Sequence, residues 1–260
     1  MIGVFDSGVG GLSVWSELEK LMPNQKYAYF SDNAYCPYGT KDPDEIIERS
    51  IKISKFLIEK GASLIVVACN TATAASIKVL RQKFSIPFVG IEPAIKPAAL
   101  TSETGVVGVM ATRNTLKGRL YQDTLDKFAT NVQVIDRVGV GLVETVEKGI
   151  LEGEDVEKLL HNVVDEMLAN NVDSIVLGCT HYPFLINTIR KIVGDNIHII
   201  NPAPAIAQRV EFILNEKKLT TLDTNNGTDF YSSGDDATLR RLVPIISKKQ
   251  LKYLYNLINL

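Results

Sequence analysis

Two segments of this chain each run from an apolar, β-branched stretch through a cysteine into helix-forming sequence. That doubled pattern limits the folds open to the chain. In the first segment, Leu64-Ile65-Val66-Val67 reads as a buried parallel strand, Ala68-Cys69-Asn70-Thr71-Ala72 follows, and residues 73–80 read as a helix. In the second, Ser174-Ile175-Val176-Leu177-Gly178 leads into Cys179-Thr180-His181-Tyr182-Pro183 and then the apolar-periodic residues 184–190. A side chain between a strand's carboxyl end and a helix's amino end stands where open α/β sheets hold their ligands. Unpaired amides and the positive end of the helix dipole favour an anion there, a thiolate included. Two such units in one chain predict two half-sites facing one substrate.

The remaining sequence keeps the same strand–turn–helix rhythm. Residues 2–5 are a short strand, the glycine-rich turn Asp6-Ser7-Gly8-Val9-Gly10-Gly11 follows, and residues 12–18 open a helix. The turn matches neither the dinucleotide nor the P-loop glycine spacing, and its leading acid repels phosphate. The expectation is that its glycines bring backbone amides close to a small ligand, with Asp6 and Ser7 pointing into the site. Residues 27–30 are a second strand, and Tyr35-Cys36-Pro37-Tyr38-Gly39 is a loop. Pro37 and Gly39 are either simple turn residues or the frame that holds Tyr38 over a small site. Cys36 falls outside the strand–cysteine–helix pattern and is read as structural or incidental. Asp42-Pro43-Asp44-Glu45 signals a helix start, carried by periodic apolar residues to Gly61, and residues 87–91 are a further parallel strand.

A new unit begins near residue 95. Its strand at 105–110 ends in Ala111-Thr112-Arg113-Asn114-Thr115, the counterpart of the first strand and its Asp6-Ser7, with hydroxyls in place of the acid. A helix through Tyr121, a strand at 132–135, a helix at 155–170, the second cysteine segment and a strand at 198–202 complete the unit. A helix at 205–214, a strand and turn at 229–235 and a helical tail at 237–260 return towards the first unit, and the Asn-rich 222–228 reads as an exposed loop. Strand–helix alternation in both halves predicts an α/β molecule. It has two doubly wound parallel-sheet domains with pseudo-symmetry, residues 1–94 with 206–260 and residues 95–205. The site is expected in the cleft between them.

Composition fits such a molecule and removes several functions. A 45% hydrophobic, 22% charged chain is that of a globular protein, and a formal net charge of −2 gives no electrostatic reason to expect nucleic acid or an anionic membrane. No apolar run approaches the roughly 20 residues that span a bilayer. Residues 1–6 show no basic stretch, so no signal peptide is expected, and three widely spaced cysteines argue against a disulfide framework. The expected compartment is the cytoplasm.

Two thiols on opposite walls of a cleft suit removal of a proton from one face of a carbon and delivery to the other. One must be thiolate while the other is thiol, so their surroundings must differ. His181, two residues from Cys179, is able to hold or shuttle its proton, and Asp6 and a glutamate are able to serve either thiol. Asn70, Thr71, Thr180 and Ser7 supply neutral partners for carboxylate and ammonium groups. A lone cysteine after a buried strand is commonly a core residue, but the second copy argues for function. Cys179-x-His181 has no C-x-x-C partner, so zinc is not expected, and His161 and His198 read as a surface and a strand residue. A Cys–His–Asp hydrolase stays open; it would use one cysteine and leave the other without a role.

Four motifs, Asp6-Ser7-Gly8-Val9-Gly10-Gly11, Pro37-Tyr38-Gly39, Ala68-Cys69-Asn70-Thr71-Ala72 and Gly178-Cys179-Thr180-His181-Tyr182-Pro183, resemble in kind and order those of the bacterial glutamate racemases of the cofactor-independent aspartate/glutamate racemase family. The resemblance runs over essentially the whole chain. It implies L-/D-glutamate interconversion without pyridoxal phosphate or any other cofactor, supplying D-glutamate for peptidoglycan. By motif, Cys69 deprotonates D-glutamate with help from Asp6, and Cys179 deprotonates L-glutamate with help from His181. Asp6, Ser7, Pro37, Tyr38, Gly39, Asn70, Thr71, Thr180 and His181 contact the substrate, joined by Thr112 and Thr115. The family's further glutamate matches Glu147 in Val146-Glu147-Lys148-Gly149 rather than Glu144, although the Cys-Pro that usually precedes this segment is absent. Aspartate racemases tend to carry Glu where His181 stands, and hydantoin racemases lack the Asp-Ser-Gly opening. A homodimer acting on a small molecule is the expected state, and Tyr253, Leu254 and Tyr255 are candidate contacts.

Overall fold

The computed structural model describes residues 1–219, 227–247 and 254–260. The first sheet gathers six strands: β1 (Ile2–Asp6), β2 (Tyr27–Ser31), β3 (Leu64–Val67), β4 (Phe88–Gly90), β9 (Thr228–Ser232) and β10 (Leu254–Leu257). Their order across the sheet is β10-β9-β2-β1-β3-β4, and every pair is parallel. The second sheet holds β5 (Val106–Ala111), β6 (Gln133–Val138), β7 (Ser174–Gly178) and β8 (His198–Ile200) in the order β6-β5-β7-β8, again all parallel. In both, strand order reverses beside the first strand, between β1 and β3 and between β5 and β7. Open sheets bind ligands at that reversal, outside the strands' carboxyl ends. Asp6 and Cys69 leave one reversal, and Thr112 and Cys179 leave the other.

The helices cover the sheets because strands buried on both faces need apolar partners on both. Val4 and Val66 face one side, into a core that runs on to Met110, Leu142 and Tyr182 of the second unit. Phe5 and Val67 face the other, against Ile53 and Leu57 of α2 (Pro43–Glu59). Val107, Val109 and Val176 pack on Ile95 and Ala98 of α4 (Ile95–Thr101). The start signal at Asp42 is realised: its side chain accepts the Asp44 N–H at 2.8 Å, Pro43 occupies the first turn, and Gly61 leaves the helix with φ of 97°. Behind the second strand a buried ion pair forms. Arg49 of α2 donates to Asp32 from Nε at 2.9 Å and from Nη2 at 2.6 Å, and Tyr38 Oη donates to the same carboxylate. Among the described residues no helix is long and apolar enough to cross a membrane.

Several expectations needed correction. The tail is not one helix: α11 (Ala237–Ile246) ends before Ser247, and Leu254–Leu257 is the edge strand β10. Tyr255 stacks on Phe230 at 5.4 Å between ring centroids, a tertiary contact that outweighs local helix preference. Tyr255 is therefore a packing residue, and Tyr253 lies outside the described residues, as do 222–226 of the supposed loop. Thr228, at that loop's end, opens β9 and accepts from Trp15 Nε1 at 3.1 Å. The helix expected to end at Tyr121 is two helices, α5 (Arg113–Lys117) and α6 (Arg119–Phe128), and the strand after it runs on to Val138. Glu144 and Glu147 lie on a short helix, α7 (Leu142–Glu147), ahead of α8 (Glu154–Ala169).

Candidate active site

The two cysteines sit at unlike local structures. Cys69 caps α3 (Asn70–Lys83), and its Sγ accepts the Ala72 N–H at 3.4 Å, an orphan donor of the first turn. Cys179 is followed by a 3-10 turn, Tyr182–Leu185, before α9 (Ile186–Val193) begins. The expected helix amino end is therefore missing at the second thiol, because Pro183 opens a tighter turn instead. Its partner is the His181 ring, with Nδ1 3.6 Å from Sγ. The sequence pattern is duplicated, but the electrostatic device is not.

Both thiols line one narrow cavity. Its lining includes Ser7, Pro37, Tyr38 and Gly39 from the first unit and Val143 and Thr112 from the second. Asn70 and Thr71 line it beside Cys69, and Thr180 and His181 beside Cys179. Both amide atoms of Asn70 are buried without a protein hydrogen-bond partner, which marks them as available to a polar ligand. Tyr38 contributes its ring and backbone, since its hydroxyl is committed to Asp32. Val143 was missed by sequence reasoning because an apolar helical residue carries no chemical signal.

Asp6, Glu147 and Thr115 stand behind this lining. Asp6 is fully buried and accepts from Thr180 Oγ1 at 2.8 Å and Ser7 Oγ at 3.0 Å. Burial pushes its carboxyl pKa up, against the opposing pull of His181 and of its hydrogen bonds. Thr115 backs a hydroxyl triangle, 3.0 Å from Thr112 and 3.3 Å from Thr71, while Thr71 and Thr112 are 2.8 Å apart. Glu147 Oε1 lies 2.5 Å from His181 Nε2 and accepts the Val9 N–H at 2.7 Å. Glu144 instead lines a neighbouring cavity.

Two glycines of the first turn have a further purpose that the sequence reading did not give them. A Cβ on Gly8 would overlap the Glu147 carboxylate, and one on Gly10 would overlap the His181 ring. Gly8 and Gly10 let the second unit approach, and a Cβ on Gly11 would meet Asp6 and Tyr29 of the first unit. Ser7 alone of that turn lines the cavity. With Asp6–Thr180 and Thr71–Thr112, these contacts clasp the two units on either side of the thiols.

The protonation directions follow from these neighbours. Burial above all, and then the Asp6 charge, push the Cys69 thiol up, against the help of the Ala72 N–H and Ser7. Burial opposes charge on His181, but its hydrogen bonds to Cys179, Cys36 and Glu147 outweigh it and hold the imidazolium well above the ordinary histidine range. The thiol read as incidental therefore lies beside the site. Cys36, Glu147 and His181 could together hold a metal, their ligand atoms all lying within 4.8 Å of one another. His161 pairs with Asp165 at 2.8 Å on the surface of α8, and His198 lies in β8.

Two thiols that leave two strand-order reversals thus line one cavity, with acid and imidazole neighbours. The chain belongs to the aspartate/glutamate/hydantoin racemase family, whose sequence model matches residues 8–210. It is 41% identical to the glutamate racemase of Ectopseudomonas mendocina over 250 residues, covering 96% of this chain and 95% of that protein. A glutamate racemase isoform of Bacillus anthracis superposes with a TM-score of 0.89 at 30% identity, over 100% of this chain and 97% of the other. The Escherichia coli glutamate racemase, solved with L-glutamate and the activator UDP-MurNAc-ala, gives 0.89 at 33% identity, over 100% and 98%.

Proposed function

We propose that this protein interconverts L- and D-glutamate by two-base proton transfer without a cofactor, supplying D-glutamate for peptidoglycan. The observation that carries the reading is that Cys69 and Cys179 line one cavity from two different sheets. Cys179 takes the α-proton of L-glutamate, leaving a carbanion-like centre, and Cys69 delivers its own proton to the opposite face. The D-enantiomer reacts through the same steps in reverse, so each turnover moves one proton on and one off. The unpaired Asn70 amide and the hydroxyls of Ser7, Thr71 and Thr180 hold the substrate's charged groups. Donors fixed there stabilise charge that builds up on the carboxylate as the α-carbon loses its proton. Asp6 serves Cys69 through Ser7, and Glu147 fixes the ring of His181, which serves Cys179.

The test is the circular dichroism of pure L-glutamate with metal-stripped, pyridoxal-free protein in deuterated water. The signal should decay to zero, with deuterium appearing at the α-carbon. Decay with aspartate but not glutamate would reassign the substrate, and silence with both would sink the racemase reading in favour of the hydrolase.

The positioning roles are separable by direction. Enantiomers have equal free energies in water, so kcat/KM must stay equal in both directions for every variant. Any skew is confined to kcat and KM taken separately. His181→Asn and Asp6→Asn should each lose on the order of 10²-fold in kcat/KM, and their kcat losses should be skewed towards opposite directions. Progress curves begun from each pure enantiomer read this. Equal kcat losses both ways in both variants would refute the pairing of partners with thiols.

A further inference from the structure

One thiol beside the site, Cys36, has no part in the proposed reaction. Cys36 lies half-buried between the 3-10 turns Asn33–Tyr35 and Tyr38–Thr40. Its Sγ, a carboxylate oxygen of Glu147 and a ring nitrogen of His181 all lie within 4.8 Å of one another. His181 lines the thiol-bearing cavity, whereas Cys36 and Glu147 open onto a second one. That cavity is lined by Cys36, Glu147, Val9, Asn33 and Lys148, among others. Three elements distant in sequence supply the three side chains, which is why ligand spacing along the chain gives no hint of them.

The donor set decides what the cluster suits. One thiolate, one imidazole and one carboxylate, with a fourth position open to solvent, is a donor set for zinc. The thiolate and carboxylate would together neutralise a dication, which a half-buried position requires. Zinc bonds of about 2.0–2.3 Å put tetrahedral ligand atoms roughly 3.3–3.8 Å apart, so the widest separation here has to close by about 1 Å. Cys36 is on irregular chain and Glu147 is the last residue of α7, so both are free of the constraint of a strand or a helix interior.

We propose that Cys36, Glu147 and His181 form a binding site for a thiophilic divalent cation, zinc foremost, and that its occupancy stops turnover. On binding, the Cys36 S–H bond breaks, the sulfur–metal bond forms and the proton leaves to solvent. His181 binds through the lone pair of one ring nitrogen, so the proton on that nitrogen is also released to solvent and the nitrogen is closed to proton exchange while the metal is bound. Glu147 exchanges its hold on His181 for the cation. The inhibitory half of the proposal rests on His181 serving Cys179 as proposed above, whereas the binding half does not.

The experiment uses the full chain, metal-stripped and kept reduced with a non-chelating phosphine. Cobalt(II) is titrated in as a spectroscopic probe, and zinc is titrated in a parallel racemisation assay. The expected result is a near-ultraviolet thiolate-to-cobalt charge-transfer band at one equivalent, and zinc inhibition that EDTA reverses. In Cys36→Ser and Cys36→Ala the band should vanish and the zinc concentration for half-inhibition should rise at least about 10-fold, each variant being referred to its own metal-free rate. A band that survives in both variants would come from Cys69 or Cys179 and would overturn the proposal, as would the lack of any band in the unaltered protein. Zinc inhibition unaffected by both substitutions would overturn it too. Should the protein racemise nothing, the cobalt band still decides the binding site, so failure of the site and failure of the proposed function read out separately.

Discussion

Cys179→Ser and Cys69→Ser should each lower racemisation by at least about 10³-fold, since each removes a general acid–base partner and leaves a hydroxyl too weakly acidic to replace it. Both variants should fold normally, because serine is nearly isosteric with cysteine and each position borders a cavity lined by polar groups. In the proposed reaction the two thiols act on opposite faces, so the variants should differ in what they still do. Cys179→Ser keeps Cys69 and should slowly exchange the α-proton of D-glutamate with solvent deuterium, without inverting it. Cys69→Ser should do the same with L-glutamate only. Mass spectrometry of each enantiomer after incubation in deuterated water separates these outcomes. Unimpaired racemisation by Cys179→Ser would end the two-base mechanism, and a hydrolase would tolerate loss of one cysteine.

Arg49→Leu should cost about 3–5 kcal/mol of stability, a large share of the roughly 5–15 kcal/mol typical of a folded domain. Asp32 is fully buried and takes two hydrogen bonds from Arg49, whose own side chain is only 4% exposed. Removing the guanidinium leaves a buried carboxylate with Tyr38 as its remaining hydrogen-bond donor. The guanidinium also lies 3.9 Å over the Tyr35 ring, a contact that is lost with it. Urea denaturation reads the change as a lower midpoint. The pair Asp32→Asn with Arg49→Met should recover at least half of the loss, because the cost comes from an unpaired charge rather than from absence of the ion pair. A single-variant loss below about 1 kcal/mol, or no recovery in the pair, would refute this account. Activity should follow stability here, since Tyr38 lines the thiol cavity as well as touching Asp32.

Much of the architecture is readable in the sequence because local chemistry and tertiary fold agree in it. Leu64-Ile65-Val66-Val67 has apolar, mostly β-branched side chains for both faces of a buried strand, and Asp42-Pro43 caps a helix wherever it occurs. The meeting of the two thiols is also legible, since strands that end in chemistry at a sheet's order reversal point their chemistry the same way. What stays hidden depends on contacts between distant segments. Residues 254–257 become a strand through pairing with β9, not through propensity alone. Nothing local to the first turn announces that Glu147 packs against Gly8 and His181 against Gly10. Cys36 looks incidental because a cysteine's role is decided by its neighbours, and its neighbours come from α7 and the segment after β7.

The unequal surroundings of the two thiols give the proposed enzyme a memory of handedness. One thiol meets a helix amide and a serine, the other an imidazole. After converting an L-molecule, the free protein is left protonated for a D-molecule, with the proton on the wrong sulfur for a second L-molecule. It must reset before it repeats itself, and the two resting forms differ in free energy because the neighbours differ. Equal amounts of both enantiomers at equilibrium therefore do not imply equal amounts of the two forms of the catalyst. At high concentrations of one enantiomer, the pace is set by an empty cleft moving a proton from one wall to the other.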